Sequence, residues 1–178
     1  IMDMAFRTGN KERYEFTAQV GAWSGLETLA EGPLWRKQNG SFVVGYRYSF
    51  VDLFKNLGAN LGGSFVPQYQ DLNWKFDAGK GKHRLSLFGL SGASHIFIRG
   101  KDVDPENPYH PTNIDSDYRC NLSINGIRYQ LLIDSQSFWR TTVAYCYNKL
   151  KDDGWLVPPT GDRTSQLTGG NREDGLRL

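Results

Sequence analysis

The chain has 178 residues, of which 39% are hydrophobic and 13% aromatic, so it is long enough to fold and too apolar for wholesale disorder. Its 21 basic and 19 acidic residues nearly cancel, and no Lys/Arg cluster follows one face or stripe, which argues against a nucleic-acid partner. No apolar run approaches the roughly 18 residues that a transmembrane helix needs, so a membrane role would require β-strands.

The N-terminal residues read IMDMAFRTG, have no continuous apolar stretch and already contain a charge at Arg7, so they do not form a signal peptide. Because the chain starts at Ile1 and not at a methionine, we expect it to be a piece of a longer protein. If that protein is exported, its targeting sequence lies outside this chain.

Seven segments show the alternation of apolar and polar residues that is typical of β-strands. They cover residues 13–22, 26–32, 41–50, 69–78, 84–98, 118–133 and 138–150. The alternation in the fifth segment changes phase around residues 89–92, which predicts a glycine-centred bulge or bend. Residues 51–58 have the spacing of a short helix, and residues 156–178 have no strand pattern and are predicted to be disordered.

The fourth segment shows the alternation most clearly, since it reads VPQYQDLNWKF over residues 66–76. Its apolar side chains share one face of a strand, and its polar side chains share the other. The first group is Leu72, Trp74 and Phe76, and the second is Asp71, Asn73 and Lys75. A soluble antiparallel sheet gives this pattern when one face covers a core, and a membrane barrel gives it when one face meets lipid.

The connections between the strands alternate in length. The short ones cover residues 34–40, 79–82 and 134–137, and the long ones cover residues 51–68 and 101–117. In an up-and-down meander this order places every short turn at one rim and every long loop at the other. Outer-membrane barrels have this asymmetry, and lipocalin-like soluble barrels can have it too. Ten residues tilted by about 45° span about 23 Å, close to the roughly 25 Å apolar band of such a barrel.

Aromatic residues recur on the apolar faces of the predicted strands, as they do in the lipid-interface girdles of membrane barrels. They are Tyr14, Phe16, Tyr46, Tyr48, Trp74, Phe76, Trp139 and Tyr145. The alternative is a soluble aromatic core. Cys120 and Cys146 lie about five residues out of register in the last predicted hairpin, which is too far apart for a disulfide, so we expect two free thiols.

Several motifs within residues 1–150 together resemble those of a known family. The stretch EGP at 31–33, YRYS at 46–49, VPQYQDL at 66–72 and the pattern FG-L-SG-S-I at 88–96 are similar to the first barrel strands of TonB-dependent outer-membrane receptors of the Bacteroidetes type. Residues 1–10 are similar to the end of the plug domain of these receptors. The resemblance implies a partial barrel over residues 11–155.

For the parent protein, the resemblance implies a bacterial outer-membrane barrel of about 22 strands. Such a receptor imports a scarce ligand, such as a metal chelate, an oligosaccharide or a peptide, and draws energy from the periplasmic TonB protein. The TonB box, most of the plug and about two thirds of the barrel are missing from this chain, and the tail after Trp155 departs from the family. We therefore expect the fragment alone to transport nothing. The alternative is a soluble lipocalin-like binding module.

No motif for catalysis, a cofactor or a metal stands out. The run Asp102, Asp104 and Glu106 lacks the glycine and the bidentate glutamate of an EF-hand, and GKGK at 79–82 lacks the strand-to-helix context of a phosphate loop. Tyr109 and His110 lie between two prolines in a predicted loop and are candidate ligand contacts. Four polar side chains are expected to line the lumen of the barrel. They are Arg47, Asp71, Asn73 and Lys75, with Arg47 and Lys75 paired to Asp71 or Asp77.

Overall fold

A computed structural model gives the fold of residues 6–21, 25–34, 39–49, 67–106, 111–157 and 164–177. Eight antiparallel strands form one sheet, in which each strand pairs with its neighbours in chain order. They are β1 (Glu15–Gly21), β2 (Gly25–Leu34), β3 (Gly40–Tyr48), β4 (Gln68–Lys80), β5 (His83–Ile98), β6 (Ile114–Leu132), β7 (Phe138–Leu156) and β8 (Thr164–Arg177). The predicted all-β, up-and-down antiparallel meander is confirmed.

The sheet is open over the described residues, because β1 pairs only with β2 and β8 pairs only with β7. A 3-10 turn, Gly100–Asp102, follows β5, and no helix in the described ranges is long and apolar enough to cross a membrane. The predicted short helix at residues 51–58 lies outside the described residues.

The C-terminal part of the chain corrects one prediction. Residues 156–178 were expected to be disordered, but Thr164–Arg177 forms β8 and pairs along β7 from Leu156 to Ala144. Three of its residues are glycines (Gly169, Gly170, Gly175), and its sequence lacks the regular alternation of apolar and polar residues that predicts a strand. Backbone hydrogen bonds to β7 hold this strand in the sheet. Such bonds do not depend on a pattern of side chains, so the sequence does not predict them.

The long hairpin of β6 and β7 is also longer than expected, since β6 begins at Ile114 and β7 ends at Leu156. The added length is acidic, with Asp117 directly opposite Asp153. Each carboxylate has a cation two residues away on its own strand: Arg119 lies 2.7 Å from Asp117, and Lys151 is paired with Asp153. These cations offset the repulsion between the acids, so the ladder continues where a loop was predicted.

The fifth strand has no bulge. His83–Ile98 pairs residue by residue with β4 on one side and with β6 on the other, without a shift of register near Gly89. The change of phase instead arises because apolar and polar side chains exchange faces along the strand. Past Gly92, apolar Ile96 faces the side that carries Lys75 near the turn, and polar His95 faces the side that carries Trp74.

The turns lie where the lengths of the connections predicted. The β4–β5 turn is a two-residue hairpin of Gly81 and Lys82, since Lys80 pairs directly with His83. Gly81 has a φ of +60°, a conformation that glycine adopts without steric cost. The connections after β2, β4 and β6 are short and share one end of the sheet, called here the short-turn end, and the longer ones after β3 and β5 lie at the other end.

The predicted hairpin register is accurate to one residue, because Cys120 pairs with Leu150, four residues from Cys146, where an offset of about five was expected. Cys146 pairs with Ile124, four positions along β6 from Cys120. Both thiols are free, as predicted.

Candidate functional site: the two faces of the sheet

The register sorts the side chains of the sheet into two faces, because directly paired residues of antiparallel strands point to the same side. Lys75 pairs with Val43 on β3 and with Phe88 on β5. The side of the sheet on which these three side chains lie is called here the polar face. Trp74, the neighbour of Lys75, pairs with Val44 and Gly89, which define the apolar face. The predicted division of β4 is confirmed: Leu72, Trp74 and Phe76 share the apolar face, and Asp71, Asn73 and Lys75 share the polar one.

The apolar face holds most of the exposed large hydrophobic side chains of the strands, with exposed fractions between 37% and 71%. They are Phe16, Val20, Tyr46, Tyr48, Leu72, Leu85, Leu87, Ile127, Tyr129, Trp139, Tyr145 and Leu176. By contrast, only Val43 and Val103 are buried among the hydrophobic residues of the described ranges. The sheet therefore does not bury its apolar face against another part of the described chain.

The exposure of twelve large hydrophobic side chains on one face is unusual for a soluble monomer. Monomeric soluble proteins rarely expose contiguous apolar patches larger than a few hundred Å². The apolar face thus has the composition of a surface that lies against lipid or against another protein.

The polar face brings together the four residues that the sequence analysis expected in a lumen. Arg47 and Asp71 are direct partners, with their charged groups 2.7 Å apart, and Lys75 lies 3.0 Å from Asp77. The predicted pairings of Arg47 and Lys75 are confirmed. Asn73 covers the backbone of its partner Gly45, whose missing side chain leaves room for the amide. That these residues line a lumen stays a prediction.

The N-terminal segment, defined here as residues 6–10, lies on the polar face and touches four strands. The Phe6 and Phe88 rings are 5.8 Å apart, and Lys75 donates hydrogen bonds to the Phe6 carbonyl oxygen and the Thr8 hydroxyl at 3.4 and 3.3 Å. Gly9 lies so close to the backbone of Phe42 that a Cβ would collide with its carbonyl. A glycine is therefore needed where the segment crosses β3.

Glu31 fastens the N-terminal segment to β2. Arg7 donates a 2.5 Å hydrogen bond to one carboxylate oxygen of Glu31, and the backbone N–H of Asn10 donates a 2.9 Å bond to the other. Glu31 is buried, with 6% of its surface exposed, so both partners are needed to compensate its charge. The sequence alone does not predict this role, because residues 24 positions apart meet only once the segment folds back over the sheet.

The β6–β7 turn is fixed by its own aspartate. The carboxylate of Asp134 accepts hydrogen bonds from the backbone N–H groups of Gln136 and Ser137, both at 2.8 Å. These two bonds favour the ionised carboxylate and lower the pKa of Asp134. The turn predicted over residues 134–137 is thus confirmed, with Asp134 as the residue that holds it.

The candidate ligand contacts Tyr109 and His110 lie outside the described residues. In the loop before them, Asp104 accepts a hydrogen bond from the backbone N–H of Glu106 at 3.0 Å. Within the described ranges, no group of three or more His, Cys, Asp or Glu side chains is arranged to hold a metal ion.

Comparisons of the chain with protein-family models, with curated proteins and with solved structures found no match. The family resemblance therefore depends on the motifs themselves.

Proposed function

We propose that this chain forms part of the wall of a β-barrel in the bacterial outer membrane, of the TonB-dependent receptor type that its motifs resemble. The apolar face meets lipid and the polar face lines the interior. The observation that carries the proposal is the group of large exposed hydrophobic side chains that share one face, opposite the ion pairs Arg47–Asp71 and Lys75–Asp77. Lipid outside and water inside produce this combination, because every second residue of a barrel strand faces each medium. The apolar face also holds ion pairs, of which Asp117–Arg119 and Lys151–Asp153 lie toward the end opposite the short-turn end.

The N-terminal segment supports the proposed side of the lumen. It lies on the polar face, against β2 to β5, where the plug of a TonB-dependent receptor would sit. A plug that fills a barrel needs polar and ionic contacts with the wall, and Arg7 with Glu31 supplies one. We accordingly assign residues 1–10 to the end of a plug and the strands from β1 onward to the wall.

The free edges of β1 and β8 support a wall that continues beyond the described strands. Edge strands present unpaired backbone groups, which a membrane interior does not tolerate. A closed barrel of about 22 strands would satisfy both edges. In that assembly the ligand and the TonB partner act on the whole receptor, and these eight strands contribute wall and not transport.

A soluble lipocalin-like module is the alternative, since its length and meander topology are similar. In such a module the apolar face turns inward around a cavity. The exposure of the apolar face, and the N-terminal segment on the opposite face, favour the membrane barrel.

Refolding the chain in buffer and in detergent micelles, followed by circular dichroism and size exclusion, tests the proposal. We expect a β-sheet signal with a narrow elution peak in micelles, and aggregation in buffer because the apolar face and the edges are uncovered. A sharp monomeric β-sheet species in buffer without detergent would contradict the membrane assignment and favour the soluble module.

A further inference from the structure

A cleft opens at the short-turn end of the polar face, between the N-terminal segment and strands β4 to β6. Its volume is about 470 Å³, and most of the charged side chains along it are cationic. The lining residues that matter here are Thr8, Lys11, Lys75, Asp77, Arg84 and Arg128. The cleft lies at the end of the sheet opposite the predicted loop that contains the candidate ligand contacts Tyr109 and His110.

Only one of these cations is neutralised by an acid of the cleft. Lys75 lies 3.0 Å from Asp77, whose other oxygen accepts a 2.5 Å hydrogen bond from Ser86. Arg84 and Lys11 make no ion pair with a described residue. The cleft therefore keeps a surplus of positive charge that its own carboxylate does not balance.

The two arginines lie on neighbouring strands, and neither forms an ion pair with a described residue, although Asp77 is a diagonal neighbour of Arg84 on β4. Arg84 pairs with Gln130, and Ser86 pairs with Arg128, so the arginines occupy diagonal positions on β5 and β6, about 7–8 Å apart at Cα. Arg128 donates to the Thr142 hydroxyl at 3.2 Å, and its guanidinium lies 5.7 Å from the centre of the Phe88 ring. Neutral partners thus orient Arg128 without cancelling its charge.

We propose that this cleft binds a small oxyanion of the phosphate class that carries at least two negative charges, with Arg84 and Arg128 as its main ligands. The positive charges of the two arginines repel each other, and an anion bound between them would attract both and offset this repulsion. Guanidinium groups present paired N–H donors that match phosphate oxygens. The Thr8 hydroxyl and the Lys11 ammonium add donors on the opposite side of the cleft.

Titration of the full chain with pyrophosphate tests the site, by calorimetry at an ionic strength held constant with sodium chloride. The medium is whichever one gives the folded sheet, buffer or micelles, so the result does not depend on the membrane assignment. We expect saturable binding of one pyrophosphate per chain. Arg84→Gln and Arg128→Gln should each weaken binding by about tenfold, because each removes one charge-assisted ligand.

Lys101→Gln is the matched control, since it removes the same charge from an exposed position at the other end of the sheet. It should leave the affinity unchanged. Arg84→Lys keeps the charge but loses the fork of donors, and should weaken binding several-fold even if the glutamine variants fold poorly. Absence of saturable binding by the wild-type chain would overturn the proposal, and so would equal losses in the Lys101→Gln and Arg84→Gln variants.

Discussion

The guanidinium of Arg47 lies 2.7 Å from the carboxylate of Asp71, directly across the β3–β4 ladder on the polar face. The same guanidinium stands 4.9 Å from the centre of the Tyr69 ring. With 44% and 23% of their side chains exposed, the two residues are partly screened by solvent, so their interaction is weaker than that of a buried pair.

A double-mutant cycle with Arg47→Gln and Asp71→Asn measures this interaction. We expect a coupling free energy of about 0.2–1 kcal/mol, because the pair is a direct cross-strand contact that water still reaches. The measurement is the urea midpoint of each variant in the medium that supports the folded sheet. Strictly additive effects of the two substitutions would show that the ion pair contributes nothing to stability.

Glu31→Gln should release the N-terminal segment from the sheet. The substitution removes the charge that Arg7 and the Asn10 N–H share, so the amide of Asn10 should exchange its hydrogen at least about tenfold faster. Hydrogen exchange measured by mass spectrometry on the N-terminal peptide reads this change. Glu27→Gln is the control, because Glu27 lies on the same strand as Glu31 but accepts its hydrogen bond from Gln19 and not from the segment.

Gly89 and Gly92 should respond differently to alanine. A Cβ at Gly89 would overlap the Trp74 indole and lie 2.5 Å from the Asn125 side-chain oxygen, whereas a Cβ at Gly92 meets its nearest atoms at 3.7 Å. Gly89→Ala should cost about 1–3 kcal/mol of unfolding free energy, since the indole must move. Gly92→Ala should be neutral or slightly stabilising. Equal urea midpoints for the two variants would mean that Trp74 does not pack over Gly89.

Asp134 should make the stability of the β6–β7 turn depend on pH. Two backbone N–H bonds lower its pKa in the folded state, so the stabilisation is present above the unfolded pKa of about 3.9 and is lost as the pH falls through the folded value. Asp134→Ala should lower the urea midpoint at pH 7, and its difference from wild type should shrink at pH 2.5. Ser135→Ala serves as the control, and a difference independent of pH would contradict this role.

The alternation of side chains predicts most strands of the sheet and their two faces. The features that it does not predict depend on backbone pairing or on contacts between residues distant in sequence. Trp74 and Lys75 were assigned to opposite faces correctly, because successive side chains of a strand point to opposite sides of the sheet. The strand Thr164–Arg177 was missed because glycine-rich edge strands depend on a neighbour's ladder. Glu31 was missed because its partner Arg7 is distant in sequence, while Arg84 and Arg128 could have been found as cations that alternate with Leu85 and Ile127.

Site-directed spin labelling along β4 tests the central claim most directly. Single cysteines from position 70 to 77, in a chain with Cys120→Ser and Cys146→Ser, are labelled in lipid vesicles and exposed to oxygen and to a water-soluble nickel complex. Oxygen concentrates in lipid, so we predict that it relaxes the labels at Leu72→Cys, Trp74→Cys and Phe76→Cys most strongly. The nickel complex should relax those at Asp71→Cys, Asn73→Cys and Lys75→Cys. Accessibility that does not alternate, or that alternates in the opposite phase, would contradict the assignment of lipid to the apolar face.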